Sequence, residues 1–327
     1  MIIARTPVRI SLGGGGTDLA SYYCKYGGFL IAAAIDKYIF ITVNRRFEDS
    51  IRVSYSKTEI VDKVEEIQHP IVREALKLLG YDGSLEITTI ADVPANTGLG
   101  TSSSFTVGLL NTLHTYKRES ITAKALAEEA CRIEIDILGE PVGKQDQYMA
   151  AFGGITCLTF AKNGEVTVTP LNISPDIIEE LERHIMLFYT GIRRNSADVL
   201  SGQNNASQRD DKKVIENLHK IKEIGEEAKI ALESGNVHRF GELLHTHWQS
   251  KKNLSHKVSR PEIDRWYALA RQNGALGGKI MGAGGGGFFM FYVEGNKSKL
   301  RQVIKRENLR EMRFKFDLEG SKVLVNF

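Results

Sequence analysis

One segment of the sequence places a glycine loop between a strand and a buried helix. Residues 84–91 alternate between apolar and polar side chains, which predicts a half-buried strand, and residues 105–113 predict a largely buried helix. Between them lies PANTGLGTSSS, residues 94–104. Its two glycines permit a sharp turn, and the free N–H groups of a helix N-terminus favour an anion. The segment predicts a phosphate-binding loop, with a plain glycine turn capped by serine as the alternative.

The length and composition indicate a soluble protein of two domains. The chain has 327 residues, 42% hydrophobic and 25% charged, with a net charge of +3. That charge gives no reason to expect nucleic acid or an anionic membrane as a partner, and no apolar run approaches the ~20 residues of a membrane span. No signal peptide is visible at the start. We expect a cytoplasmic location, with Cys24, Cys131 and Cys157 as buried thiols.

Two more glycine-rich segments stand next to predicted strands. Gly13–Gly16 follow the first predicted strand, and either Thr17 or Asp18 is expected to cap the helix at residues 19–26. The other segment, residues 277–287, is expected to be one long loop. A flexible loop is the alternative, but three glycine loops together favour a polyanionic ligand such as a nucleoside triphosphate. The residues expected to contact the substrate are Gly14, Gly15, Gly16, Thr17, Asp18, Gly284 and Gly285.

The remaining pattern mixes strands and helices, as in an α+β protein. Residues 29–45 and 51–56 predict strands of an antiparallel sheet, and apolar residues recur with helical spacing over residues 122–138. Residues 170–175 are expected to lead into the second domain. The other predicted strands are 2–10, 155–160, 166–170, 184–190, 288–293 and two at the C-terminus, and the other predicted helices are 69–79, 210–233, 237–254, 261–273 and 297–308.

Phosphoryl transfer needs a metal and a proton acceptor, and the sequence offers candidates for both. The Ser102 hydroxyl and the Glu134 carboxylate are oxygen ligands of the kind that Mg²⁺ prefers, although Glu134 also suits a solvated helix face. Asp146 is the candidate base, with Lys144 beside it to keep the carboxylate ionised and to stabilise charge on the transferring group. A surface salt bridge between these two residues is the alternative. The histidines that lack a metal-binding pattern and are expected to be ordinary surface or core residues are His238, His245, His247 and His256.

Three motifs, in this order, resemble those of the GHMP small-molecule kinases, a family named for galactokinase, homoserine kinase, mevalonate kinase and phosphomevalonate kinase. They lie at residues 6–18, 94–104 and 279–287, so the resemblance covers nearly the whole chain. It implies an α+β fold of two domains, a ribosomal-protein-S5-like domain over residues 1–172 and a ferredoxin-like domain over residues 173–327. It also implies that ATP and the substrate meet in the cleft between the domains.

The resemblance implies roles for single residues as well. Asp146 falls at the family's catalytic aspartate, Arg9 at its basic position in the first motif, and Ser102 at a magnesium ligand. Glu134 lies near the magnesium-binding glutamate, but its spacing to Asp146 is one residue longer here, which leaves Asp136 as the alternative. The residues expected to bind ATP are Pro94, Asn96, Gly98, Leu99, Gly100, Thr101, Ser102, Ser103 and Ser104.

The segments LGGGGTDL, GKQDQYMAAFGG and YTGIRRNSADVL resemble the family branch that phosphorylates the anomeric hydroxyl of D-glycero-D-manno-heptose 7-phosphate. Galactokinases carry Glu-His where Gly15 and Gly16 stand here, so the acceptor pocket must differ, while Asp18 matches a sugar-hydroxyl contact of the sugar kinases. The resemblance implies ATP and Mg²⁺ as cofactors and a small sugar phosphate as partner, and it allows a homodimer. Two alternatives remain: a fucokinase-like enzyme acting on an unphosphorylated sugar, and a non-catalytic sugar sensor, which loss of the base or the magnesium ligands would indicate.

A kinase that acts on a sugar phosphate needs a second anion site, remote from ATP. Arg193 and Arg194 follow a strand predicted to end at Thr190, directly before Ser196 and a predicted helix start. Arginine binds phosphate through two parallel N–H groups, and a helix N-terminus adds further donors. We expect at least one of the two arginines, Arg193 first, to bind the acceptor's phosphate. A solvated loop with two surface arginines is the alternative.

Overall fold

A computed structural model describes residues 1–193, 196–209 and 211–327, without the side chains of residues 196–198. The strands are β1 (Ile2–Gly13), β2 (Gly28–Arg45), β3 (Ile51–Ser54), β4 (Thr58–Val61), β5 (Leu85–Ala91), β6 (Ile155–Phe160), β7 (Val166–Pro170), β8 (Ile185–Tyr189), β9 (Ala275–Ile280), β10 (Phe288–Val293), β11 (Arg310–Met312) and β12 (Lys322–Asn326). The α-helices are α1 (Ala20–Tyr26), α2 (Pro70–Leu78), α3 (Thr101–Tyr116), α4 (Ala123–Cys131), α5 (Gln145–Phe152), α6 (Pro175–His184), α7 (Ser196–Gln208), α8 (Lys212–Glu233), α9 (Val237–Lys252), α10 (Pro261–Gln272) and α11 (Lys297–Arg306). In the described part of the chain, no helix is long and apolar enough to cross a membrane.

The first sheet is organised around its two longest strands, β1 and β2. They pair antiparallel from Ile2 opposite Val43 to Gly13 opposite Ile31, with an irregularity after Pro7, which has no N–H to donate to the ladder. One half of β2 also pairs with β5 and the other half with β6. The sheet order is β12-β1-β2-β5-β3-β4, and β7 pairs with β6. The last strand of the chain therefore lies in the first sheet.

The second sheet has the order β11-β8-β10-β9, with antiparallel neighbours throughout. Its strand β10 is buried along its whole length, which suits the continuous apolar run FFMFYV. A single hydrophobic core runs from β1 and β2 to helices α8 and α9 and to one face of β10. Because this packed core joins the two sheets, the walls of the cleft between them are held in a defined position.

Several sequence predictions of secondary structure are wrong, and each error has a local cause. Residues 277–280 do not form part of a loop but belong to β9. Gly277 and Gly278 suit this strand because their lack of a side chain lets α9 and Phe291 approach the backbone closely. The helix α6 was not predicted, although Ser174 caps it and Pro175 stands at its first position. Strand β3 pairs parallel with β5 rather than only antiparallel with a neighbour.

Two helix predictions near the cleft also need correction. Residues 122–138 do not form one α-helix, because α4 passes into a π-helical turn at Arg132–Ile137. Neither Thr17 nor Asp18 caps α1, whose N-cap residue is Leu19 and has no side-chain cap. The mixed α+β class is confirmed by the two helix-covered sheets, whereas the domain boundary at residue 172 stays a prediction.

The three cysteines are free thiols in different surroundings. Cys131 and Cys157 are buried, as predicted, and burial raises the pKa of Cys157 to about 11. The prediction is wrong for Cys24, which is exposed on the short helix α1.

A substitution of Gly14 tests how tightly the tetraglycine segment packs against its neighbours. Its φ is +75°, and an added Cβ would lie 2.2 Å from the Phe29 carbonyl oxygen. We expect Gly14→Ala to lower the free energy of unfolding by about 2–5 kcal/mol, from backbone strain and overpacking together. Gly80→Ala is the matched control, because Gly80 has a φ of +64° and open space around it, so only the strain of about 1–2 kcal/mol remains. Equal losses in urea unfolding of both variants would show that Gly14 is not packed as described.

Candidate active site

A cleft lies between the two sheets, and each of its walls comes from a different part of the chain. The first wall is formed by the end of β1, the glycine loop after it, the loop before α3, the π-helical turn and the start of α5. The facing wall is formed by α7, α9, the end of β9 and the turn at Gly282 and Ala283. The elements that carry the predicted phosphate loop and the predicted base therefore meet on one wall.

An ion pair with the buried Arg9 fixes the partly exposed Asp146 on this wall. The Arg9 side chain is 3% exposed, and its Nε and Nη2 atoms lie 2.8 and 2.7 Å from Asp146 Oδ1. Arg9 Nη1 also donates to the Gly98 carbonyl at 2.7 Å. Gln145 Nε2 is 3.2 Å from the same Asp146 oxygen. Among the described residues no donor reaches Asp146 Oδ2, so this carboxylate oxygen can accept a proton.

The loop before α3 brings a helix N-terminus against Asp146. Gly100 is the N-cap of α3 with a φ of +77°, and an added Cβ would lie 3.1 Å from Asp146 Oδ2. Only a glycine allows both the turn and this close approach. The first N–H groups of α3 have no partner within the helix, and Thr101, Ser102 and Ser103 line the cleft beside them. An anion bound at the helix start would thus lie next to the free oxygen of Asp146.

The π-helical turn directs Glu134 into the cleft. Glu134 is 3% exposed, and its carboxylate accepts hydrogen bonds from Ser102 Oγ at 2.8 Å and from Gln147 Nε2 at 2.7 Å. Asp136, the alternative on the same turn, is exposed. Burial raises the pKa of Glu134 above its ordinary value, and the charge of Asp146 adds to the effect. The Ser102 hydroxyl and the Glu134 carboxylate form a pair of hard oxygen donors that suits Mg²⁺, which needs few protein ligands.

Next to Asp146 the cleft is lined by groups that can bind hydroxyls. Asp18 is 6% exposed and accepts backbone hydrogen bonds from Gly16 at 3.1 Å and from Gln145 at 3.3 Å. Burial, and then the charge of Asp146, raises the pKa of Asp18. Within the described part of the chain, Ser11 Oγ and Gln145 Oε1 are buried without a hydrogen-bond partner, and both residues line the cleft. Unpaired polar atoms of this kind fit a ligand that carries several hydroxyls.

The facing wall carries basic residues that sequence reasoning missed. His247 and Lys251 stand one turn apart on α9, and Lys279 lies on β9. His247 and Lys279 are each 1% exposed and Lys251 is 8% exposed. Burial lowers the pKa of His247 and of Lys279 well below their ordinary values, and nearby positive charges lower them further. The spacing of four residues between His247 and Lys251, which puts both on one helix face, was the only sequence signal.

Two of the predicted catalytic residues, Asp146 and Arg9, are together in the cleft, and the third is not. Lys144 Nζ donates to the Gly164 carbonyl at 2.7 Å and lies 5.6 Å above the Tyr23 ring. Residues two positions apart at a helix start point in different directions, so Lys144 turns away when Asp146 faces the cleft. The prediction that Lys144 assists Asp146 is not supported by this geometry.

The predicted ligand-binding residues also divide into two groups. Those that line the cleft are Gly15, Gly16, Asp18, Asn96, Gly98, Gly100, Thr101, Ser102 and Ser103. Thr17 is instead buried with its hydroxyl 2.9 Å from the Gly14 and Phe29 carbonyl oxygens, and Ser104 Oγ donates to the Pro7 carbonyl at 2.8 Å. Leu99 is a core residue. The predicted residues that the structure does not place among those lining the cleft are Gly14, Pro94, Leu99, Thr17, Ser104, Gly284 and Gly285.

Near the third glycine segment, the neighbours Gly282 and Ala283 line the cleft in place of Gly284 and Gly285. The Gly285 N–H donates to the Val258 carbonyl at 2.7 Å, so it is occupied within the protein. Arg193 is exposed, next to Ile192, which packs against this segment. Arg194 lies outside the described residues.

Two sheets with a cleft between them, and a helix N-terminus beside the Asp146 carboxylate on one wall, are an arrangement that suits a small-molecule kinase. Two family models match the chain: the GHMP kinases N terminal domain over residues 67–154 and the GHMP kinases C terminal over residues 228–310. A D-glycero-alpha-D-manno-heptose 7-phosphate kinase of Campylobacter jejuni is 34% identical, and the match covers 98% of each chain. The chain belongs to the GHMP kinase family.

Two further similarities agree with this assignment. The crystal structure of a D-glycero-D-manno-heptose 1-phosphate kinase from Bacteroides thetaiotaomicron has a TM-score of 0.82, 27% identity and full coverage of both chains. A galactokinase of Pyrococcus furiosus is 25% identical over 96% of this chain and 95% of its own length. The predicted two-domain kinase fold is confirmed, and the protein is an ATP-dependent phosphotransferase.

Glu134 makes the stability of the ligand-free protein depend on pH. Its pKa is higher in the folded than in the unfolded chain, so its contribution to stability is full below the ordinary value of 4.5 and is lost as the pH rises through the folded pKa. Glu134→Gln removes the titrating carboxylate and therefore this loss of stability at higher pH. We therefore expect the variant to gain stability over the wild type as the pH rises from 4.5 to 8, measured by urea unfolding without metal or nucleotide.

Asp136→Asn is the control for this experiment, because Asp136 is exposed on the same π-helical turn and burial imposes no comparable cost. A stability difference between Glu134→Gln and the wild type that stays constant with pH would contradict the described burial of Glu134.

Proposed function

We propose that the protein transfers the γ-phosphoryl group of ATP to the anomeric hydroxyl of D-glycero-D-manno-heptose 7-phosphate and so forms the 1,7-bisphosphate. The observation that carries this proposal is the 34% identity over 98% of the chain to a kinase named for that substrate. The polar atoms beside Asp146 support a polyol acceptor, because Asp18, Ser11 and Gln145 offer hydrogen bonds that a sugar ring can complete.

In this proposal the phosphates of ATP bind at the start of α3. The N–H groups and hydroxyls of Thr101, Ser102 and Ser103 hold them, and Gly98 and Gly100 allow the backbone to approach. Ser102 and Glu134 would hold Mg²⁺, which supplies charge neutralisation on the phosphates when bound. Replacing Glu134 with Gln should then raise the Mg²⁺ concentration needed for half-maximal activity.

Asp146 acts as the general base in this mechanism. Its Oδ2 atom accepts the proton of the anomeric hydroxyl while that oxygen forms a bond to the γ-phosphorus, and the bond from phosphorus to the leaving ADP oxygen breaks. Arg9 holds Asp146 Oδ1 in place through its Nε and Nη2 atoms. Lys144 has no part in it, because its ammonium group is bound at Gly164.

The test of the proposed function is a kinase assay over a matched panel of acceptors. Heptose 7-phosphate, heptose 1-phosphate, unphosphorylated heptose, fucose and galactose are compared by kcat/KM, and the product is identified by ³¹P NMR. We expect heptose 7-phosphate to be preferred and a second phosphate to appear on its anomeric oxygen. The 1-phosphate has to be included because the similar solved structure is named for a heptose 1-phosphate kinase.

Preference for fucose or another unphosphorylated sugar would support the fucokinase-like alternative, and specific sugar binding without turnover would support a sensor. A homodimer and a cytoplasmic location stay predictions.

Asp146→Asn should abolish most of the turnover while the fold and ATP binding remain. The new side chain has nearly the same shape and still accepts from Arg9, but it cannot take up the proton, and loss of a general base costs ~10²–10⁴-fold in rate. Turnover and ATP binding are measured beside those of Asp136→Asn, a variant of an exposed aspartate outside the cleft. A kcat within a few-fold of the wild type would show that Asp146 is not the base.

A further inference from the structure

The basic wall of the cleft, formed by His247, Lys251 and Lys279, has no function in the mechanism above. His247 is 1% exposed, and both of its ring nitrogens lack a hydrogen-bond partner among the described residues, although the residue lines the cleft. Lys279 is equally buried and also lines the cleft, and its side chain has no hydrogen bond or ion pair to any residue that the structure describes. Two buried nitrogen-bearing side chains thus face the same space without a partner in the protein.

Among the described residues, no ion pair joins an acidic group of the cleft to His247 or Lys279. Asp146 is paired with Arg9, Glu134 accepts from Ser102 and Gln147, and Asp18 accepts from backbone N–H groups. A buried basic group without a hydrogen-bond partner costs stability, and such a group is normally paired or holds a ligand. The arrangement therefore calls for an anion that arrives with a substrate.

Lys251 shapes the wall and adds positive charge to it. Its ammonium group donates to the carbonyl oxygens of Ile280 and Gly282, which fastens the end of β9 to α9. This contact holds Lys279 next to His247, since Lys279 directly precedes Ile280. Three basic side chains from two elements are consequently concentrated in one place.

The phosphates of ATP do not need this wall. They have the α3 N-terminus and its hydroxyl groups on the opposite wall, where Asp146 also lies. An acceptor whose reacting hydroxyl meets Asp146 can reach across the cleft with its other end. We propose that His247, Lys251 and Lys279 form a second anion site, which binds the phosphate group carried by the acceptor sugar. This inference rests on the proposed function. It means that these three residues make the enzyme specific for an acceptor that carries a phosphate group.

Lys279→Met and His247→Leu test the second anion site, since each removes the side-chain nitrogen donors with little change in size. We expect Lys279→Met to raise the KM for heptose 7-phosphate about 10- to 100-fold, the effect of losing a charge-assisted hydrogen bond. The KM for ATP and the kcat/KM for unphosphorylated heptose should stay within about twofold of the wild type. Lys252→Met is the matched control, because Lys252 is the next residue on α9 and pairs with Asp264 outside the cleft.

Thermal unfolding of the ligand-free variants distinguishes a role of Lys279 in binding from a role in stabilising the fold. Lys279→Met replaces a buried amine that has no hydrogen-bond partner among the described residues with an apolar side chain of similar size, so its Tm should equal or exceed that of the wild type. A lower Tm for this variant, with equal losses on both forms of the sugar, would assign Lys279 a structural role and overturn the inference.

The other outcomes are also distinguishable. If the wild type phosphorylates heptose 7-phosphate while the Lys279 and His247 variants keep its KM, the inference fails and the proposed function stands. A raised KM in Arg193→Ala under those conditions would place the site at the exposed arginine predicted from the sequence. A raised KM for ATP in Lys279→Met would assign the wall to the transferred phosphoryl group instead. If the wild type prefers unphosphorylated sugars, the proposed substrate and the second anion site fail together.

Discussion

The ion pair between Arg9 and Asp146 is the interaction on which the geometry of the cleft depends. It joins the centre of β1 to the start of α5, and through Gly98 it also holds the loop before α3. A buried guanidinium is tolerable because every contact here is charge-assisted or made to a carbonyl oxygen. Since all three elements meet at this pair, the position of the base relative to the phosphate-binding helix is set by the fold. A flexible loop could not fix the position of Asp146 relative to the start of α3 so well.

Acidic groups line one wall of the cleft and basic groups the other, and among the described residues no ion pair joins His247 or Lys279 to the acidic wall. On one wall burial raises the pKa values of Asp18 and Glu134, and on the other it lowers those of His247 and Lys279. Each set of charges costs stability in the ligand-free protein. The acidic wall suits a cation and hydroxyl groups, and the basic wall suits an anion. A sugar phosphate presented to a metal-bound nucleotide has this distribution of charge, so the cost of each wall is offset only when substrates bind.

The sequence predicted the parts of the site that depend on short-range patterns. The sequence placed Gly98, Gly100 and Ser102 together because strand, glycine turn and helix start follow each other directly, and it offered Asp146 as a carboxylate in a short polar segment, which the resemblance then supported. Lys144 was chosen for its closeness in sequence, but a helix start directs residues two positions apart to different sides. No pattern of residue types in the sequence indicates the π-helical turn that places Glu134 in the cleft. Lys279 and His247 are 32 residues apart in sequence, and only the packing of α9 on β9 brings them together.

Gly15 and Gly16, where the resemblance places Glu-His in galactokinases, leave room in the cleft next to Asp18. An added Cβ at Gly15 would lie 2.8 Å from Ser11 Oγ, and one at Gly16 would lie 3.2 Å from Gln203 Nε2. Gln203 donates to the Gly16 carbonyl at 3.1 Å, so α7 covers the glycine loop directly. A side chain at Gly16 would approach Gln203 of α7, and one at Gly15 would approach Ser11, so each would reduce the space in the cleft near Asp18. The space that the two glycines leave there is compatible with the proposed sugar-phosphate acceptor.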